Sequence, residues 1–261
     1  SRSSASNSPE NVAASLQSAV DGGRLVTLSS DDAYTYFFRL RNLEPQEKIL
    51  SEIKPKVLPQ LRRLGDEVFG KRVSMGLEVL TERDWTIALR AYEWAHVLEE
   101  GDKAIEARWK YAEGRVAEAQ NRRDDAQNSF YAATQLDSSW ALPVNDLGYL
   151  YVLNRRYSEA IPYYQRAISL QPGWDIPYNN MGTANYYLKN YEAAEMWYRK
   201  AIEVNANWAT PHVWLGSIYE NRGLKSTAIE EYQTTLNLYN PNRDRINTVE
   251  IQNKINALRG Y

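Results

Sequence analysis

The chain has 261 residues, 43% hydrophobic and 25% charged, with a formal net charge of −2. This composition excludes a disordered segment and a strongly basic nucleic-acid footprint, and no apolar run reaches the 18 or so residues that a membrane span requires. The lack of Cys excludes disulfides and thiolate metal sites.

Residues 1–9 are a Ser-rich polar stretch, read as a linker or processed end of a longer polypeptide, with an anchor or catalytic domain expected upstream. Residues 10–68 form a divergent helical region. Val12, Leu16 and Val20 give Asn11 to Val20 a helical spacing that stops at Asp21-Gly22-Gly23, and a second helix is predicted from Asp32 to Leu43 through Ala33, Phe37 and Leu40, closed by Pro45. From Gln46 to Val68 the residues Ile49, Ile53, Val57, Leu61, Leu64 and Val68 share one face, but Pro55 and Pro59 interrupt it. Two short helices or one kinked helix are expected.

Residues 69–140 divide into two loosely matched units. Phe69 to Asp102 carries Met75, Gly76, Val79, Ala88, Tyr92 and Ala95, and Ala107 to Trp140 carries Gly114, Ala117, Ala126, Phe130 and Ala133 in the same register. Lys103 to Glu106 intrude between them by about one helical turn and are expected to lengthen a helix.

Residues 141–242 contain three units of 34 residues. The first has Val144, Leu147, Gly148, Tyr151, Ala160, Tyr164, Ala167 and Pro172; the second Tyr178, Met181, Gly182, Asn185, Ala194, Tyr198, Ala201 and Ala206; the third His212, Leu215, Gly216, Tyr219, Ala228, Tyr232, Thr235 and Asn240. Each reads as two helices around a polar turn. A mid-helix glycine costs about 1 kcal/mol relative to Ala, so its recurrence implies close helix contact, with Ala160, Ala194 and Ala228 as matching small residues. Pro177 and Pro211 fit first turns, with Asp175 and Thr210 as expected caps. Trp140, Trp174 and Trp208 are read as packing wedges between units rather than exposed anchors. Arg243 to Arg259, with Ile251, Ile255 and Leu258 on one face, is expected to cap the stack within residues 243–261.

This pattern resembles the tetratricopeptide repeat. The resemblance implies an all-α, right-handed solenoid of stacked helix-turn-helix repeats with a C-terminal capping helix. It further implies that first helices line a concave groove, reached by residues two, five and nine of each unit. Those are Arg108, Tyr111 and Arg115; Leu142, Asn145 and Tyr149; Ile176, Asn179 and Thr183; and Thr210, Val213 and Ser217. Asn amides suit a peptide backbone, Arg a carboxylate and Tyr apolar side chains, so a protein or peptide ligand is expected, and charge reversal at Arg115 should weaken binding while helicity persists. Asn145, Tyr149, Thr210 and Trp214 depart from the subgroup that grips a C-terminal carboxylate.

His96 and His212 lie in different units and belong to no metal motif, and there is no phosphate loop or nucleophile elbow. Asp31-Asp32, Glu99-Glu100 and Asp124-Asp125 fit helix ends. No cofactor, metal or catalytic residue is expected. The function expected is a non-enzymatic protein-interaction scaffold or adaptor. Its alternatives are a self-associating structural module, for which 19 Tyr and 8 Trp speak, or an accessory domain of a larger membrane-anchored or catalytic protein.

Overall fold

A computed structural model describes residues 8–43, 47–75 and 80–260, and these residues form thirteen helices and no strand. Two compact units result, one of Ser1–Gly70 with Leu80–Ser138, the other of Lys71–Val79 with Ser139–Tyr261. Among the described residues no helix is long and apolar enough to cross a membrane.

The first unit contains α1 (Pro9–Asp21), α2 (Ala33–Leu43), α3 (Glu47–Met75), α4 (Glu82–Leu98), α5 (Lys103–Ala119) and α6 (Arg123–Leu136), the last turn of α3 grouping with the second unit. Ser8 caps α1, with Pro9 in its first turn. Asp32 is buried, and its carboxylate accepts from the amides of Thr27 at 2.9 Å, Leu28 at 3.1 Å and Thr35 at 2.9 Å, which fixes the loop and caps α2 together. Pro45 lies outside the described residues.

α3 is a single helix through both prolines, not two short ones. Pro55 and Pro59 are one turn apart on an exposed face, where water can serve the carbonyls deprived of an amide, while Ile53, Val57, Leu61 and Val68 are buried on the opposite face. Packing thus outweighs a local cost of about 3 kcal/mol per interior proline. Phe69 stacks on Tyr92 at 5.4 Å, and the Tyr92 hydroxyl donates to Asp66 at 2.6 Å. The Tyr92 ring also covers Gly65, where a Cβ would stand 2.0 Å from it. Gly76 and Val79 lie outside the described residues, as does the side chain of Met75.

α5 has 17 residues and begins at Lys103, capped by Asp102, so Lys103 to Glu106 form its added first turn.

The second unit stacks α7 (Ala141–Leu153), α8 (Tyr157–Leu170), α9 (Asp175–Tyr187), α10 (Tyr191–Val204), α11 (Ala209–Asn221) and α12 (Lys225–Leu238) as successive hairpins, closed by α13 (Thr248–Arg259). A Cβ would stand 2.7 Å from the Tyr164 ring at Gly148, 2.6 Å from Tyr198 at Gly182 and 2.4 Å from Tyr232 at Gly216. The tyrosine ring sixteen residues on, rather than the facing alanine, is therefore what each glycine makes room for; Gly114 and Phe130 repeat the contact in the first unit at 2.6 Å.

The hairpin turns share one backbone device. Asn121, Arg155, Lys189 and Gly223, spaced by the repeat, have φ of 58°, 59°, 63° and 74°, and the next amide reaches back to the first helix, as from Asn190 to the Asn185 carbonyl at 2.9 Å. Trp140, Trp174 and Trp208 are the N-cap residues of α7, α9 and α11 and make no side-chain cap bond. Asp175 and Thr210, expected as caps, lie inside the helices and bond elsewhere. On α13, Ile251 and Ile255 join the cluster of Leu215, Ile218, Tyr219 and Tyr232, with Leu258 packed against it.

Candidate functional site

In the first unit the expected groove positions serve the interior. Arg108 donates to Asp137 at 2.7 Å. Tyr111 is fully buried among Phe69, Trp85 and Phe130, with ring centroids 5.4, 5.9 and 5.4 Å away. The buried Arg115 guanidinium lies 4.8 Å from the Trp85 ring centre and pairs with Glu118 at 2.5 Å. His96 stacks on Trp109, and in the second unit His212 bonds Glu231 at 2.7 Å.

In the second unit α7, α9 and α11 carry the remaining positions, and the repeat gives each a recurring environment. At the ninth position, Thr183 Oγ1 accepts from the Tyr198 hydroxyl at 3.2 Å and Ser217 Oγ lies 3.3 Å from the Tyr232 hydroxyl. Tyr149 is half-buried at the same position on α7. Burial pushes the Tyr164 and Tyr198 phenols well above their ordinary range, with the charge of Asp146 adding at Tyr164. Leu142 and Ile176 are buried, Val213 packs on the α11–α13 cluster, and Thr210 donates to Asp244 at 2.7 Å.

The asparagines diverge. Asn145 is fully buried, donating to Asp146 Oδ1 at 3.0 Å and accepting from Asn180 Nδ2 at 3.0 Å, which links α7 to α9. Asn179 is buried too, but its Oδ1 meets no donor among the described residues.

A buried ion pair lies beside these residues. Arg72, from the last turn of α3, donates to Asp146 Oδ1 at 2.6 Å, with side-chain exposures of 1% and 0%, and its guanidinium stands 5.8 Å from the Trp174 ring centre. Next to it Arg243 donates to the Ser74 carbonyl at 3.0 Å and to Asp175 Oδ2, which also accepts from Asn205 at 2.6 Å. A cleft of about 310 Å³ adjoins this cluster between Val73, Ser74, Trp174, Val204, Asn205 and Arg243. The signal that could have found the pair is Asp146 itself, the one charged residue of an otherwise apolar and neutral α7.

Stacked two-helix hairpins, a glycine under each second-helix ring and a left-handed residue at each turn define a helical-repeat protein built for surface contact. Family models for the tetratricopeptide repeat match residues 111–175 and 177–207. Over those residues the chain carries tetratricopeptide repeats. No curated protein matches it in sequence. Among solved structures it is similar to a protein described as PilF of Pseudomonas aeruginosa, at 14% identity over 78% of this chain and 90% of that one, with a TM-score of 0.59. It is also similar to MamA, at 22% identity over 60% of this chain and 90% of that one, TM-score 0.50, and to residues 41 to the end of MamA from Desulfovibrio magneticus RS-1, at 15% identity over 69% and 94%, TM-score 0.51. At these identities the likeness concerns the helical-repeat fold.

Proposed function

We propose that the chain is a non-enzymatic scaffold or adaptor whose second unit binds an extended protein segment along the face of α7, α9 and α11. The half-buried Tyr149, Thr183, Val213 and Ser217 carry this reading, since the repeat sets them along α7, α9 and α11 with part of each side chain open to a ligand. Asn179 lies one turn before Thr183, whose hydroxyl donates to its carbonyl at 3.0 Å. Asn145, committed to Asp146 and Asn180, holds the shape of the face, while Arg108, Tyr111 and Arg115 support the first unit. The test is selection from a displayed random-peptide library on the purified chain, followed by affinity measurement on Asn179→Leu and Thr183→Ala variants of native helicity. Selected peptides that lose about tenfold in affinity, the 1.4 kcal/mol of one good hydrogen bond, support the groove; unchanged affinities or no selected peptide reject it.

Self-association is the second reading, favoured by Val249 on the capping helix, 67% exposed, and Tyr187 at 47%. Molar mass by light scattering that rises with concentration supports it, and a monomer throughout removes it.

A further inference from the structure

The turn Lys71 to Met75 is held on the second unit in the manner of a bound ligand. Its side-chain anchor is Arg72, enclosed between the Asp146 carboxylate at 2.6 Å and the Trp174 ring at 5.8 Å. Its main-chain anchor is the carbonyl of Ser74, in the last turn of α3, which accepts from Arg243 at 3.0 Å. Arg243 is oriented by Asp175 and by the face of Trp208, 4.7 Å from the ring centre. A backbone carbonyl takes a guanidinium well as a hydrogen-bond acceptor. The receptor is thus built from the first two repeats of this unit and from Arg243 at the start of the capping segment, and the adjoining cleft of about 310 Å³ is left open beside Val73 and Ser74.

Resting on the reading of this unit as a binding face, we infer that it is a receptor for arginine-bearing helical segments, filled in cis by residues 71–75, and that a partner segment of the same chemistry must displace them. Asp146 is the countercharge of the site. A carboxylate this buried needs a cation, and a planar guanidinium can pair with it while stacking on an indole face, which a compact ammonium does less well. The partner is a helical segment with an Arg followed two residues later by a carbonyl for Arg243.

The probe is a fluorescein-labelled peptide of residues 64–75, followed by anisotropy on the intact chain. A cis segment competes at high effective concentration. The Arg72→Gln chain is therefore expected to bind the peptide at least about tenfold more tightly than the unaltered chain. Binding should fall about tenfold for a peptide carrying Arg72→Lys, and be lost when the chain carries Arg72→Gln with Asp146→Asn. Equal affinity of unaltered and Arg72→Gln chains, or no preference for Arg over Lys, overturns the inference. Should Arg72→Gln lose helicity, hydrogen exchange on the unaltered chain decides: millimolar peptide must accelerate exchange at residues 71–75, and unchanged exchange there overturns it. Asn179→Leu and Thr183→Ala separate the two proposals, since loss of library peptides alone points to the groove and loss of the 64–75 peptide alone points to the arginine site.

Discussion

Replacing Gly216 by Ala puts a methyl group 2.4 Å from Tyr232 Cε1, 2.6 Å from Cδ1 and 3.0 Å from Cζ. Carbon atoms rest about 3.5–4.0 Å apart, so the overlap is roughly 1 Å across three ring atoms. The ring is buried and its hydroxyl donates to Glu220 at 2.6 Å, so it cannot withdraw without losing that bond. Overpacking costs about 1–3 kcal/mol, and this contact belongs at the upper end. Ala recovers about 1 kcal/mol of helix propensity, leaving a net loss of about 2 kcal/mol. Urea unfolding followed by circular dichroism measures it. In a Tyr232→Leu background the clash disappears, and Gly216→Ala should stabilise by up to about 1 kcal/mol. A Gly216→Ala chain as stable as the original, or an equal loss in both backgrounds, would refute the packing argument.

Lys189 holds a φ of 63° where the next repeat has Gly223. A left-handed non-glycine costs about 1–2 kcal/mol, partly offset by glycine's unfolded-state entropy, so Lys189→Gly should stabilise by up to about 1 kcal/mol, and a lower melting temperature would contradict the turn assignment. Arg115→Glu buries a second acid beside Glu118 in place of a guanidinium over Trp85; breaking a buried pair costs about 3–5 kcal/mol, so helicity itself should fall, and a fully helical variant would show the site to be open. Burial raises the phenols of Tyr34, Tyr92, Tyr164, Tyr198 and Tyr232. Their neutral form is favoured in the folded chain, so this contribution is intact below the unfolded tyrosine value of about 10 and is lost as pH rises above it. Absorbance at 295 nm should show exposed tyrosines ionising first and these only on cooperative unfolding; one smooth titration without unfolding would count against their burial.

The repeat was legible because its chemistry is local and periodic. Gly148, Gly182 and Gly216 mark where a second-helix ring must fit, and 34-residue spacing multiplies a weak signal three times. α3 was harder to read: Pro55 and Pro59 left two short helices or one kinked helix open, and only the burial of the opposite face shows why a single helix continues through them. The groove positions were legible as a register but not as an environment. Tyr111 and Arg115 occupy the same repeat positions as Asn145 and Tyr149, and the aromatic cluster of Phe69, Trp85 and Phe130 encloses them, while Asn145 is buried by its bonds to Asp146 and Asn180 and only Tyr149 stays half-buried.

By itself the sequence determined the helical class, the repeat length, the hairpin turns and the capping helix, because each depends on residues within one or two turns or one repeat of each other. Tertiary structure alone decided which polar groups are buried and with whom. Arg72 and Asp146 are separated by 74 residues, and Ser74 and Arg243 by 169. No periodicity encodes such pairs, since they form only when distant segments fold together and a buried charge must find its partner.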